Sequence, residues 1–268
     1  VTGWIIALNI AVYLLAMGLF WGVGINVFHY LLPLSLAGAA GGRWWEFFTY
    51  MWMHAGPGPL GLLHIFCNMA TLWMFGRVVE QAMGRWAYGV LYGAAGLVAG
   101  GGFVLEYWIR GGFSLVPYMA DDQPIVGASG AVMGVVAALA CLRPDARVMV
   151  VFFPVPARIS RVVFWFCLAS VVLMFVPVLS FIGHSAHLAG AAAGFVGYGL
   201  FRLWRGRGPV RSADVREYLA GDDLALAAWD YRLERDRIAQ KIACEGWNAL
   251  TPAEQEFIRV MQNGRGRE

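Results

Sequence analysis

Six apolar runs, separated by polar or glycine-rich breaks, dominate the first three quarters of the chain, at about 3–23, 61–79, 86–106, 128–142, 161–180 and 183–203. A bilayer core about 30 Å thick takes roughly 20 helical residues to cross, so the runs read as six membrane helices. The fourth is short and opens on Gly127-Ala128-Ser129-Gly130. That start predicts a helix beginning inside the bilayer after a loop that dips in, and irregular backbone at such depth needs protein or water around it. A cavity is therefore expected there. Residues 24–60 are too long for a simple connection and carry Phe28, Tyr30, Trp44, Trp45, Phe47, Phe48, Tyr50 and Trp52. Such a composition suits the membrane interface and predicts an interfacial loop with short helices.

Charge sharpens this division. Of the 37 Asp, Glu, Lys and Arg residues, 23 follow Leu200, so the predicted fold class is all-α: a polytopic six-helix membrane bundle over 1–204 and a small cytoplasmic helical tail over 205–268. In that tail Thr251-Pro252-Ala253-Glu254 has the pattern of an N-cap, a first-turn proline and a capping-box glutamate. The loops after the second and fourth runs, with the start of the tail, carry Arg77, Arg85, Arg143, Arg147, Arg158, Arg161, Arg202, Arg205, Arg207 and Arg211; those after the first, third and fifth carry only Arg43 and Arg110. Arginine-rich short loops face the cytoplasm, which places both termini there and Ser129 near the opposite face. The first run lacks a basic n-region and an A-x-A site, so it reads as a membrane helix and not a cleaved signal; the start at Val1 is expected to lie downstream of a native beginning.

Composition excludes some classes. Mean hydropathy is +0.60 and 59% of residues are hydrophobic, above the range of soluble domains. The net charge of +3 comes from arginine, Lys241 being the one lysine, and no basic stripe interleaved with aromatics favours nucleic acid. Cys67, Cys141, Cys167 and Cys244 stand singly and read as packing residues, neither disulfide nor zinc framework. No histidine has cysteine or carboxylate partners at ligand spacing, so neither a metal nor another cofactor is expected.

Polar groups inside a membrane are costly enough to be functional candidates. Ser129 lies between glycines that permit a sharp turn into a helix, as in a nucleophile elbow, and the free amides there, those of Ser129 and Ala128 included, are placed to face an oxyanion. His187 shares a helical stripe with Gly183, Gly190 and Gly194, while Gly130 and Gly134 give the fourth run a matching small face. Contact between those faces would bring base and nucleophile together. His64 and Asn68, at i and i+4, share a face of the second run and are candidate oxyanion donors. No acidic residue falls within the apolar part of these helices, so a Ser-His dyad is expected, without a carboxylate. His29 and His54 read as ordinary loop histidines, and His184 as a neighbour of His187.

Taken together, Phe48-Thr49-Tyr50-Met51, His64-x-x-x-Asn68, Gly127-Ala128-Ser129-Gly130 and Ala186-His187-Leu188-Ala189-Gly190 with Gly194 resemble the rhomboid family of intramembrane serine proteases over about residues 1–204. The resemblance implies a helical bundle with a water-filled site opening away from the cytoplasm. It implies Ser129 as nucleophile, His187 as general base, and His64 and Asn68 as oxyanion partners. Its implied substrates are single-span membrane proteins cut in or near the bilayer. Phe152-Phe153-Pro154-Val155-Pro156-Ala157 and the 242–257 stretch are similar to features of bacterial members, which implies a bacterial inner membrane. Three departures stand out: Trp45-Glu46 replaces the family's Trp-Arg pair, Met133 replaces an aromatic that stacks on the histidine, and 55–63 is a longer Gly- and Pro-rich segment. The competing class is a non-catalytic rhomboid-like protein that binds membrane clients; it predicts loss of Ser129 or His187, and both are present.

Overall fold

The computed structural model describes residues 1–25, 32–113, 124–150, 153–176 and 182–205, with 238, 242, 246–252, 254, 255 and 257–259. His29, Phe152, Cys244 and most of the tail lie outside the described residues. Two compact units make up the chain, Val1–Gly206 and Arg207–Glu268.

The first unit is mostly helical. Its long helices are α1 (Thr2–Val23), α4 (Pro59–Met83), α5 (Arg85–Phe113), α6 (Ser129–Leu142), α7 (Ile159–Leu173) and α8 (His184–Arg205), with the short α2 (Leu36–Ala40) and α3 (Glu46–Thr49) between α1 and α4. Each apolar run has become a helix. Three of them, Thr2–Val23, Pro59–Met83 and Arg85–Ile109, are long and apolar enough to cross a membrane. Large apolar side chains stay exposed around the unit, including Trp4, Trp21, Trp86, Phe164, Trp165 and Leu203, as a lipid-facing surface requires.

Chain chemistry sets the boundaries. α1 stops at Gly24, whose left-handed φ of 73° lets its N–H close on the Leu19 carbonyl. Pro59 opens α4 at its first turn, after Gly58 at φ 130°. Within α4 a π-turn over Leu72–Gly76 adds a residue to the spiral, and a Cβ at Gly76 would lie 2.7 Å from the Tyr88 hydroxyl of α5. Glu80 reaches back to the start of α1, accepting from the Thr2 N–H and hydroxyl, both at 2.8 Å. A carboxylate there satisfies free amides and complements the helix dipole.

The loop between α1 and α4 carries the short helices its aromatic content implied. Its anchor is the departure at Glu46. This carboxylate is buried, pairs with Arg43 Nε at 3.0 Å, and accepts from the Ser35 N–H at 3.2 Å. Ser35 in turn caps α2 by accepting the Gly38 N–H at 2.9 Å. A Cβ at Gly38 would collide with the Glu46 carboxylate, so glycine is what lets the acid enter. Arg43 and Glu46, i and i+3, thus close the loop on itself without the family's arginine.

One element corrects the all-α expectation. Between α6 and α7, β1 (Arg147–Val150) and β2 (Phe153–Arg158) form an antiparallel hairpin with Arg147 opposite Arg158 and Val148 opposite Ala157. Alternating Arg, Val and Met favours an extended strand, and a two-stranded sheet has outer edges where Pro154 and Pro156 need donate nothing.

α6 is the central helix. Ten of its 14 residues, from Gly130 to Ala140, are buried, against α4, α5, α7 and α8. At 1.5 Å per residue it is about 21 Å long, shorter than the bilayer core, as the sequence predicted. Small residues make its contacts close. A Cβ at Gly190 would collide with the Gly130 carbonyl, and one at Gly194 with the Gly134 carbonyl; Gly130 and Gly134 face Ala99 and Ala95 of α5 in the same way. Backbones this near gain dispersion and Cα–H···O contacts that larger side chains would prevent.

In the second unit, Gly246 at φ 82° leads into a 3₁₀ turn, Trp247–Ala249. The capping box is formed: Thr251 N–H and hydroxyl donate to Glu254 Oε2 at 2.7 and 3.0 Å, and the Glu254 N–H returns to Thr251 Oγ1 at 3.3 Å.

Candidate active site

Ser129 is the first residue of α6, preceded by Gly127 at φ 123°, a conformation that L side chains rarely adopt. The turn is held from the first loop, where the Tyr50 carbonyl accepts the Gly127 N–H at 2.9 Å. Tyr50 is itself buried and donates its hydroxyl to the Gly96 carbonyl of α5 at 2.7 Å. Ala128 is the N-cap, fully buried, and its carbonyl takes the Val132 N–H at 2.9 Å. The amides of the first turn therefore have no helical partner.

His187 lies in the first turn of α8, and its Nε2 is 2.8 Å from Ser129 Oγ. The glycine contacts between α6 and α8 bring the two helices close enough for that bond, 58 residues apart in sequence. Nδ1 of His187 has no hydrogen-bond partner among the described residues. Glu46 and Glu80 are engaged elsewhere, with Arg43 and with Thr2. What orients the imidazole is packing: the Phe166 ring of α7 lies 5.6 Å away at 53°, and His184 lies 6.4 Å away, edge-on at 84°. Met133 was the sequence's substitute for a stacking aromatic; Phe166, from another helix, is the ring found there. The sequence reading missed it, and its one signal was the Phe164-Trp165-Phe166 run, which does not mark the inward member.

His64, on α4, comes to the same place from the other side. A Cβ at Gly127 would sit 2.8 Å from both Cε1 and Nε2 of His64 and 3.7 Å from Ser129 Oγ. The missing side chain of Gly127 is thus what lets the His64 imidazole edge come this close to the turn that carries Ser129. His64 Nδ1 accepts the Ala55 N–H at 3.3 Å, so the neutral ring carries its proton on Nε2, on the edge that faces Gly127. Asn68 is buried one turn further along α4 and donates an amide N–H to the His64 carbonyl at 2.9 Å; that hydrogen is held by its own helix. Ser129, His187 and His64 are therefore gathered around Gly127, with Asn68 behind His64.

The chemistry available is that of an acyl-transfer site. A serine hydroxyl lies within hydrogen-bond reach of an imidazole, next to helix-start amides that have no partner within the helix and the Nε2 edge of His64.

Residues 41–204 match the family model described as Rhomboid domain. Among curated proteins, the chain is 29% identical over 157 residues to the presenilin-associated rhomboid-like protein, mitochondrial, of Rattus norvegicus, covering 56% of this chain and 38% of that protein. It is 29% identical over 100 residues to rhomboid protease GluP of Bacillus subtilis, covering 37% of this chain and 16% of that protein. With RHOMBOID-like protein 1 of Arabidopsis thaliana it shares 34% identity over 95 residues, 35% of this chain and 20% of the relative. The matched segment thus spans well under half the length of these relatives.

Proposed function

The chain belongs to the rhomboid family, and on that premise we propose that it is an intramembrane serine endopeptidase that cleaves single-span membrane proteins with a Ser129–His187 dyad. The observation that carries this reading is the 2.8 Å approach of His187 Nε2 to Ser129 Oγ. His187 takes the hydroxyl proton as Ser129 Oγ attacks the scissile carbonyl carbon. The resulting oxyanion is met by the amides at the start of α6, at Ala128 and Ser129, and by His64 Nε2–H, with Asn68 supporting that wall. Collapse expels the amine with the proton returned by His187, and water, deprotonated by the same imidazole, hydrolyses the ester.

Six membrane spans and two cytoplasmic termini complete the proposal. α6 runs from Ser129 toward Arg143, and α8 from His184 toward Arg205, so the dyad lies at the ends remote from the arginines. A site opening to the extracytoplasmic side follows from the positive-inside rule. The proposed setting is a bacterial inner membrane, with relatives in both Bacillus and mitochondria making fractionation of native cells the check.

The test is co-expression with a tagged single-span reporter, alongside labelling by a serine-reactive fluorophosphonate. Wild-type protein is expected to cleave and to label; Ser129→Ala and His187→Ala are expected to do neither. Equal cleavage by wild type and Ser129→Ala overturns the assignment, and retention of the intact reporter by both forms identifies a client-binding protein instead.

A further inference from the structure

The proposed mechanism leaves one buried imidazole without a role. His54 is fully buried, lies ahead of α4 in the segment leading into the Gly- and Pro-rich loop, and packs its ring against His64 at 5.1 Å between centroids and 61° between planes. We infer that His54 is a positioning residue: together with the Ala55 amide it clamps His64 as a neutral ring whose Nε2 edge is held against the Gly127 turn beside Ser129. The inference rests on the proposed role of His64 Nε2–H as an oxyanion donor.

Three observations support the clamp. First, Ala55 N–H donates to His64 Nδ1 at 3.3 Å. That bond needs a lone pair on Nδ1, which selects one tautomer of the neutral ring and sets N–H against N–H in the imidazolium. Second, the edge-on contact puts the positive rim of one ring against the electron-rich face of the other, fixing the tilt of His64 about its Cβ–Cγ bond as the single Ala55 hydrogen bond does not. Third, residues 54 and 55 are adjacent and have little freedom to shift. Met53 is extended and buried, and a Cβ at Gly61 in the first turn of α4 would collide with the Gly56 carbonyl and lie 2.6 Å from that of Ala55. The segment thus folds back onto the helix that carries His64 and delivers both contacts at once. Burial, and secondarily the nearby His64, lower the His54 imidazole to about 3, so it meets His64 as an uncharged ring and does not repel it.

The clamp predicts a separation between fold and chemistry. Oxyanion donors cost about 10²- to 10³-fold in rate when removed, and a donor misplaced by about 1 Å costs up to about 10²-fold. His54→Ala is therefore expected to lower kcat per titrated active site by about 10- to 10²-fold with KM unchanged, and His54→Phe, which retains a ring edge, to recover most of that loss. The second readout does not depend on catalysis: in protein labelled with ¹⁵N-histidine, His64 is expected to show a protonated Nε2 and a bare Nδ1 in wild type and His54→Phe, and a mixture of tautomers in His54→Ala. An unchanged tautomer and an unchanged kcat per titrated site in His54→Ala overturn the clamp. Should the wild type neither cleave nor label with fluorophosphonate, the protease reading fails, while the ¹⁵N shifts still decide whether His54 sets the His64 tautomer.

Discussion

Phe166 shows how much the proposed base, His187, depends on a residue outside the proposed chemistry. Without a carboxylate on Nδ1, His187 is restrained by its Ser129 bond and by ring contacts, of which Phe166 is the nearer at 5.6 Å. An aromatic pair contributes about 0.5–1.5 kcal/mol beyond burial. Phe166→Ala is accordingly expected to lower kcat roughly 2- to 13-fold with little change in KM, whereas Phe164→Ala, two residues earlier and 60% exposed, leaves both constants near wild type. Steady-state cleavage of a membrane reporter in detergent reads the split. The candidate residues were legible in the sequence as a serine between glycines, a histidine on a glycine stripe and a His-x-x-x-Asn spacing, and the structure brings Ser129, His187 and His64 together. Phe166 was not, since Phe164, Trp165 and Phe166 point about 100° apart around one helix and only the path of α8 decides which of them meets an imidazole. Gly127 was half legible. Its sharp turn follows from the motif, but the proximity of His64, which excludes any side chain there, required the packing of α4 on α6.

At the scale of the element, the close approach of α6 and α8 determines whether the dyad exists. Gly190 lies almost one turn after His187 and its α-carbon faces the Gly130 carbonyl, so an added methyl meets backbone, which has nowhere to move. Overpacking in a fitted core costs about 1–3 kcal/mol, and here the shift it forces separates Ser129 from His187. Gly190→Ala is expected to lose fluorophosphonate labelling by at least about tenfold, as a shift of about 1 Å does, and to unfold at lower temperature. Gly199→Ala, on the same helix with nothing within 4 Å, keeps wild-type labelling. A glycine-to-alanine pair on one helix separates wedge effects from helix propensity, which favours alanine at both sites. The helices themselves were read from hydropathy to within a few residues in most cases, because each is apolar over nearly its whole length. The π-turn at Leu72–Gly76 and the 147–158 hairpin were not. The first depends on how Tyr88 packs against Gly76, and the second is a short pairing in a loop, where alternation over four to six residues is too brief to separate from irregular chain. The Arg43–Glu46 anchor was visible only as a departure from a family pattern; the burial that makes it an ion pair is tertiary.

For the whole molecule, the proposed orientation rests on the distribution of arginine along the chain. An arginine carried to the middle of a bilayer costs about 2.5–3.5 kcal/mol on the insertion scale, so the ten arginines in the segments proposed to be cytoplasmic outweigh the two in the other loops. In the proposed orientation the hairpin that follows α6 lies on the arginine-rich side: Arg158 pairs with Asp145 at 3.4 Å, both well exposed, and Arg147 stands opposite Arg158. In that orientation the turn before α4, with Pro59 exposed at its first helical position, lies on the other side. Each position takes a reporter thiol at little cost, since an exposed ion pair such as Asp145–Arg158 contributes about 0–1 kcal/mol and Pro59 makes no hydrogen bond with its nitrogen. In a background with Cys67, Cys141, Cys167 and Cys244 changed to serine, Pro59→Cys is expected to react with a membrane-impermeant maleimide added to intact spheroplasts. Asp145→Cys is expected to react only after the membrane is opened. The reverse pattern would place the dyad on the cytoplasmic side, and equal reaction at both sites before lysis would mean that α4, α5 and α6 do not carry the chain across the bilayer an odd number of times between residues 59 and 145. Because Pro59 precedes His64 by little more than one helical turn, the same maleimide experiment reports the side of the membrane nearer to His64 and Ser129.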